Sequence, residues 1–357
     1  MKPSLSVSEG PLITTLTIAA SAWTTAVVRL TKGMPYVEVE WTVGPIPQSS
    51  ALWPDVDGKV KPMGKEVIVK YSSGLKTTND HGAAVFYTDS NAREMVKRVF
   101  NARGPSYPTL NVTEPVAGNY YPVRAAPCST VLFCFAFFCS PFSTSSLFLT
   151  PVHRACTPSL PLVDVQPLSV LTCSQVSALI AVTDDAAKAE LAVLVDRAMG
   201  GSSLSSGDIE LMLHRRVLED DRRGVSEPLN ETMCGCTACD CAGLTLKGRH
   251  YVVLDTVDSA HEARRLLSEE MSFPSLVGFD KPSAALSGPF SLISSALPKN
   301  VKLMTLKNMP AEDVAYAKGH VLVRLAHLFQ VGEHSSLAAP VNVSLAALFS
   351  KAALKVR

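Results

Sequence analysis

The sequence predicts an all-β protein, an antiparallel β-sandwich with few short helices. Three observations predict it: apolar residues alternate with period two in many short runs, most of these runs are separated by turn residues, and helical periodicity is weak. In residues 36–43, Val37, Val39, Trp41 and Val43 alternate with Glu38, Glu40 and Thr42, and the run stops at Gly44 and Pro45, as a half-buried antiparallel strand does. Similar runs lie at 65–71, 189–195, 209–213, 249–254, 301–306 and 320–328. The best helical candidates are 91–100 and the charged stretch 259–271, and no fixed-period repeat is present.

At the N-terminus, residues 12–22 are apolar and Thr-rich and end in Ala20, Ser21 and Ala22, a pattern that a signal peptide shares. The positive flank is only Lys2, and Glu9 follows it, so no convincing signal peptide is present. The β-branched runs at 13–18 and 24–28 read instead as a pair of strands.

A chain of 357 residues is long enough for two to three domains and a sizeable core. Lys and Arg number 33 against 32 Asp and Glu, which leaves little electrostatic drive toward phosphate backbones and excludes a nucleic-acid binder. Charge is diluted locally: residues 124–180 hold only Arg124, Arg154 and Asp164 as charged groups, together with six of the 13 Phe and five of the nine Cys. The chain therefore divides into 1–123 as the first part of a β-sandwich region, 124–180 as a low-charge insertion expected to be irregular or disordered, and 181–357 as the continuation. Within the insertion the apolar run at 131–139 stops at Ser140 and Pro141, short of the ~20 residues a membrane-spanning helix needs, so no span is expected. Pro141, Pro151, Pro158, Pro161 and Pro167 also disfavour a buried helix or an interior strand there.

Two clusters carry potential chemistry. Cys234, Cys236, Cys239 and Cys241 fall within eight residues; they could bind a soft metal, but they lack the two separated pairs of common structural zinc sites. Asn111, Asn230 and Asn342 each begin a glycosylation sequon, which points to a secretory compartment, where cysteines oxidise; a disulfide-bearing loop is the favoured reading of the cluster. The second cluster is Asp220, Asp221, Arg222, Arg223 and Gly224, just past the strand at 209–213. Taken alone it reads as either a solvated turn with weak ion pairs or one wall of a site.

Several blocks occur in a recognisable order. They are the strand around Trp41 through Pro47, the Phe86 to Asn91 turn, Pro115 through Asn119 to Pro122, Leu194 to Ser203, Ile209 to Arg216, Leu229 to Cys234, and Arg324 to Phe329. Together they resemble the C-terminal half of lysosomal-type α-mannosidases, glycoside hydrolase family 38. Residues 9–33 resemble the family's strands leading into the first block.

The resemblance implies a super-sandwich of the galactose-mutarotase type and a place in mannose metabolism, with mannose-containing glycans as ligands and a lysosomal, vacuolar or secreted location. It implies retaining hydrolysis of α-linked mannose, with a zinc ion and a carboxylate nucleophile in an α/β catalytic domain. No His-x-Asp occurs among the eight His, so zinc ligands and nucleophile are expected to lie in a missing N-terminal domain, leaving this chain inactive alone. Of the family's site, the resemblance carries over only Asp220, Asp221, Arg222, Arg223 and Gly224, with Arg223 as the sugar contact. The insertion at 124–180 departs from the family pattern, where one short strand separates the corresponding blocks; a retained intron would look like this, and 178–185 is expected to restore the strand. A stand-alone carbohydrate-binding sandwich is the alternative, and a cysteine-rich metal-binding protein the third reading.

Overall fold

Through the described residues, alternation becomes paired strands. The computed structural model describes residues 2–47, 52–54, 60–62, 64–90, 94–102, 116–123, 146–149, 178–217, 226, 228–232, 242–275, 278, 291, 293–308 and 321–349. The strands before the low-charge window are β1 (Ser4–Glu9), β2 (Ile13–Ser21), β3 (Thr24–Thr31), β4 (Val37–Val43), β5 (Leu52–Pro54), β6 (Val60–Pro62), β7 (Lys65–Ser72), β8 (Val85–Ser90), β9 (Glu94–Val99) and β10 (Tyr121–Val123). Then follow β11 (Ser146–Leu149), β12 (Ala178–Asp184), β13 (Ala189–Val195), β14 (Met199–Ser202), β15 (Asp208–Arg216), β16 (Leu246–Thr256), helix α1 (Val257–Ser272), β17 (Val301–Asn308), β18 (Val321–His327), β19 (Val341–Ser344) and helix α2 (Leu345–Leu348). Two compact units result, Met1–Pro127 with Gln175–Ser272, and Cys128–Ser174 with Phe273–Arg357.

The first unit is a sandwich. A nine-stranded antiparallel sheet, ordered β1-β2-β3-β4-β16-β13-β12-β8-β9, and a four-stranded sheet, β10-β14-β15-β7, share one core. Phe86, Ile180, Val182, Val193 and Val195 from the larger sheet meet Val123, Ile209 and Leu211 from the smaller, all fully buried. On the larger sheet's other face, Leu179, Ala181, Ala192, Leu194 and Val253 pack against Ala260 and Leu267 of α1. Central strand β13 is thus covered on both sides, which is why its sequence is a near-continuous apolar run. Its one charged residue, Glu190, is buried; it pairs with Arg264 at 2.9 Å and His261 at 2.8 Å from α1, and Thr183 donates to it at 3.0 Å.

The second unit holds the β17–β18 pair and the β11–β19 pair, with Val301, Val343, Leu348 and Phe349 as its buried cluster. Ser344 caps α2, its hydroxyl accepting from the Ala347 N–H.

Two local expectations are corrected. The described part of the helix expected over 91–100 is a strand: Glu94–Val99 is β9, with each residue opposite β8 from Ser90↔Glu94 to Val85↔Val99. Val96 and Val99 suit a pleated surface, and cross-strand pairing outweighs the local apolar spacing. The low-charge window is also not irregular throughout, because Ser146–Leu149 pairs antiparallel with β19 from Ser146↔Ser344 to Leu149↔Val341. The window's last residues belong to the core: β12 begins at Ala178, and Leu179 and Ile180 are fully buried. The helix expected over 259–271 is present as α1.

Candidate functional site

Strand β15 ends in His214, Arg215 and Arg216, after a register shift between Met212 and His214 that re-aims the strand's last turn of side chains. Arg216 is the hub. Its Nε donates to Asn230 Oδ1 at 2.6 Å, and its Nη1 donates to the Ile46 carbonyl at 2.8 Å. Ile46 belongs to the segment after β4 and is itself buried against Trp41 and Val43. Gly44, at φ +121, lets that segment pass the backbone of Leu244, because a Cβ there would lie 2.3 Å from the Leu244 carbonyl oxygen. His214 Nε2 donates to that same carbonyl at 3.1 Å.

These contacts bracket both clusters singled out in the sequence. The chain leaves β15 at Val217 and is back at Leu229, whose carbonyl accepts from the Val217 N–H at 3.0 Å. It then reaches Thr232, which bridges antiparallel to Gly243. Asp220, Asp221, Arg222, Arg223 and Gly224 lie between the first pair of feet, and Cys234, Cys236, Cys239 and Cys241 between the second; both sets are outside the described residues. Gly243 itself borders Arg216, with room for a Cβ only 3.0 Å from Nη1. A shallow recess sits here, lined by Ile46, His214, Arg216, Leu229, Glu231 and Leu244 among others.

Asn230 is therefore both a sequon residue and the acceptor in the Arg216 clamp, and it is half-buried. Asn342 is exposed on β19, opposite Phe148. Asn111 is outside the described residues. Among the described residues no three His, Cys, Asp or Glu side chains converge as metal ligands, so nothing described fits a zinc ion. Nor is any described helix long and apolar enough to cross a membrane.

Other polar groups buried in this unit escape a sequence reading. His250 is fully buried; Trp41 Nε1 donates to its Nε2 at 3.1 Å, and Tyr71 Oη lies 2.9 Å from its Nδ1. Burial pushes His250 down to about 4, with Arg197 lowering it further and Asp196 opposing. Burial likewise raises the Tyr71 phenol. Asn119 exchanges hydrogen bonds with Asn101 at 2.8 Å each, and its carbonyl accepts from the Ser202 hydroxyl. Tyr120 donates to Glu210, and burial followed by that bond raises its phenol. The signals for Trp41 and His250 were an indole and an imidazole at inward positions of apolar strands, which periodicity alone reads as packing.

The sandwich thus holds the residues that flank both segments beside the end of β15. Sequence comparison gives the family. The sequence model of the glycosyl hydrolases family 38 C-terminal domain matches residues 1–121 and 166–223, half of the chain. An alpha-mannosidase of Arabidopsis thaliana is 34% identical over 352 residues, 97% of this chain and 26% of the relative. The lysosomal alpha-mannosidase of Homo sapiens is 37% identical over 349 residues, 95% of this chain and 26% of the relative. The alpha-mannosidase of Canavalia ensiformis is 32% identical over 351 residues, 96% of this chain and 28% of the relative. The chain belongs to glycosyl hydrolases family 38 through its C-terminal domain, and it spans about a quarter of the length of these relatives.

Proposed function

We propose that this chain is the C-terminal β portion of an alpha-mannosidase and that it supplies one wall of the pocket for α-linked mannose in glycans. The observation that carries the reading is the Arg216 clamp, which fixes the two feet of the segment bearing Asp220, Asp221, Arg222, Arg223 and Gly224 on a family 38 scaffold. In this reading the Arg223 guanidinium donates to a sugar hydroxyl, while Asp220, Asp221 and Gly224 shape the loop that presents it. The zinc and the nucleophile of a retaining mannosidase belong to another part of such a polypeptide, and this chain's residues orient substrate. Lysosomal relatives support a lysosomal, vacuolar or secreted location, where Asn342 and Asn230 carry glycans and the four cysteines pair as disulfides.

The test is reconstitution. The chain alone should not hydrolyse an aryl α-mannoside above background with added zinc. Co-expressed with the remaining, upstream part of the Arabidopsis relative it should, and Arg223→Ala should then lower kcat/KM by about tenfold or more. Turnover by the isolated chain that chelation abolishes overturns the reading, as does an Arg223→Ala variant with unchanged kcat/KM. Secreted protein should also lose mass on enzymatic deglycosylation, and an unchanged mass counts against the glycan assignment.

A further inference from the structure

The inner face of the nine-stranded sheet does not end where its cover ends. Directly opposed residues share a face, and one row runs Val7, Leu16, Val28, Val39 outward to inward before reaching His250 and Val195 in the core. Val39 is 9% exposed, Val28 and Leu16 are half-buried, and Val7 at the row's end is 55% exposed, with Leu30 at 44% and Leu5 at 62% beside it on the same face. On the opposite face β1 carries Ser4, Ser6 and Ser8, β2 carries Thr15 and Thr17, and Arg29 of β3 bonds Glu38 and Glu40 of β4 at 3.1 Å. Alternation of this kind marks the apolar side as a buried side.

We infer that the apolar face of β1–β3 is a docking surface for the upstream part of a family 38 polypeptide. This rests on the proposed function, and it adds where on this chain that part binds. The occupant is chosen on three grounds. The chain matches the family's C-terminal domain and spans about a quarter of its relatives, so each relative has upstream chain to place against such a face. The rows on β1–β3 are aliphatic between Thr14 and Glu9 at one end and Ser21 and Thr24 at the other, so the complement is an apolar surface rather than a charged ligand. Among the described residues β1 is also the sheet's last strand, with no Lys, no Pro and no register shift against β2, and the one charge on its apolar face is Glu9 at the strand's end, so the edge beside Leu5 and Val7 is open to pairing.

The experiment co-expresses the full chain with the upstream part of the Arabidopsis relative and reads complex formation by co-purification and light scattering, with no activity assay. Leu5→Lys, Val7→Lys and Leu30→Glu, all at exposed positions, are introduced together, and tryptophan fluorescence checks that the fold persists. A complex that the triple variant weakens by about tenfold or more supports the surface. Hydrogen exchange on the unmodified chain supplies a second readout, with amides 4–9 gaining protection when the upstream part is present. The inference is overturned by a complex insensitive to the three substitutions, by no gain in protection at 4–9, or by a homodimer of this chain that the substitutions dissociate. Hydrolysis is read separately in the reconstitution above, and a complex that forms through this face but shows no turnover there sinks the mannosidase reading alone.

Discussion

An indole N–H can only donate, so Trp41 fixes His250 with a lone pair at Nε2 and its proton at Nδ1, facing Tyr71. Protonating His250 would set N–H against N–H inside the core. Its folded value of about 4 lies below the ordinary 6.5, so between those values the unfolded chain binds the proton and the folded one does not. The stabilisation is therefore complete above about 6.5 and is lost as pH falls to about 4, in all about 3 kcal/mol. Urea unfolding at pH 7 and pH 4.5 should show that loss in the parent, and His250→Gln should remove most of the difference; equal pH slopes in the two proteins would refute the assignment. Arg216 works at the same scale by holding backbone. Arg216→Met leaves the Ile46 carbonyl and Asn230 Oδ1 without their donor, and it should cost about 1–3 kcal/mol and speed exchange of the Val217 amide, whose bond to Leu229 closes the charged segment.

Helix α1 is bolted to the sheet by charge as well as by apolar contact. Burial by itself raises the Glu190 carboxyl, but the Arg264 charge and the His261 and Thr183 bonds together outweigh it, and the net direction is downward. Glu190→Gln leaves Arg264 buried against a neutral partner and should destabilise the first unit by about 3–5 kcal/mol, read as a lower urea midpoint. Which elements were legible follows from the range of their causes. β4, β7, β13, β15 and β16 announce themselves by alternation or by apolar runs, because burial on one or two faces writes that pattern locally. β9 and β11 do not, because what makes them strands is a partner elsewhere in the fold: β8 for one, and β19 nearly two hundred residues away for the other. The candidate site divides the same way. The charged and cysteine clusters were visible as residue types, whereas the Arg216 clamp joins three segments whose proximity only the fold creates.

At the scale of the molecule, two compact units with separate buried clusters predict separate unfolding. All three tryptophans, Trp23, Trp41 and Trp53, fall in the first unit, so fluorescence follows that unit while far-UV circular dichroism follows both. The two probes should then give non-coincident transitions, which a single cooperative fold would not. Acid separates them further. The His250 loss between pH 7 and pH 4.5 belongs to the first unit, so the fluorescence midpoint should fall in the parent and hold nearly steady in His250→Gln. Replacing 125–176 by a short Gly-Ser linker tests the division from the other side. The replacement keeps Val123 and all of β12 in the first unit's core, so the fluorescence midpoint should stay within about 3 °C. It removes the β11 partner of β19, so amides 341–344 in the second unit should lose protection from exchange. Coincident probe transitions in the intact chain, or collapse of the fluorescence midpoint after the replacement, would mean that the two units fold as one and that the low-charge segment is part of what holds them.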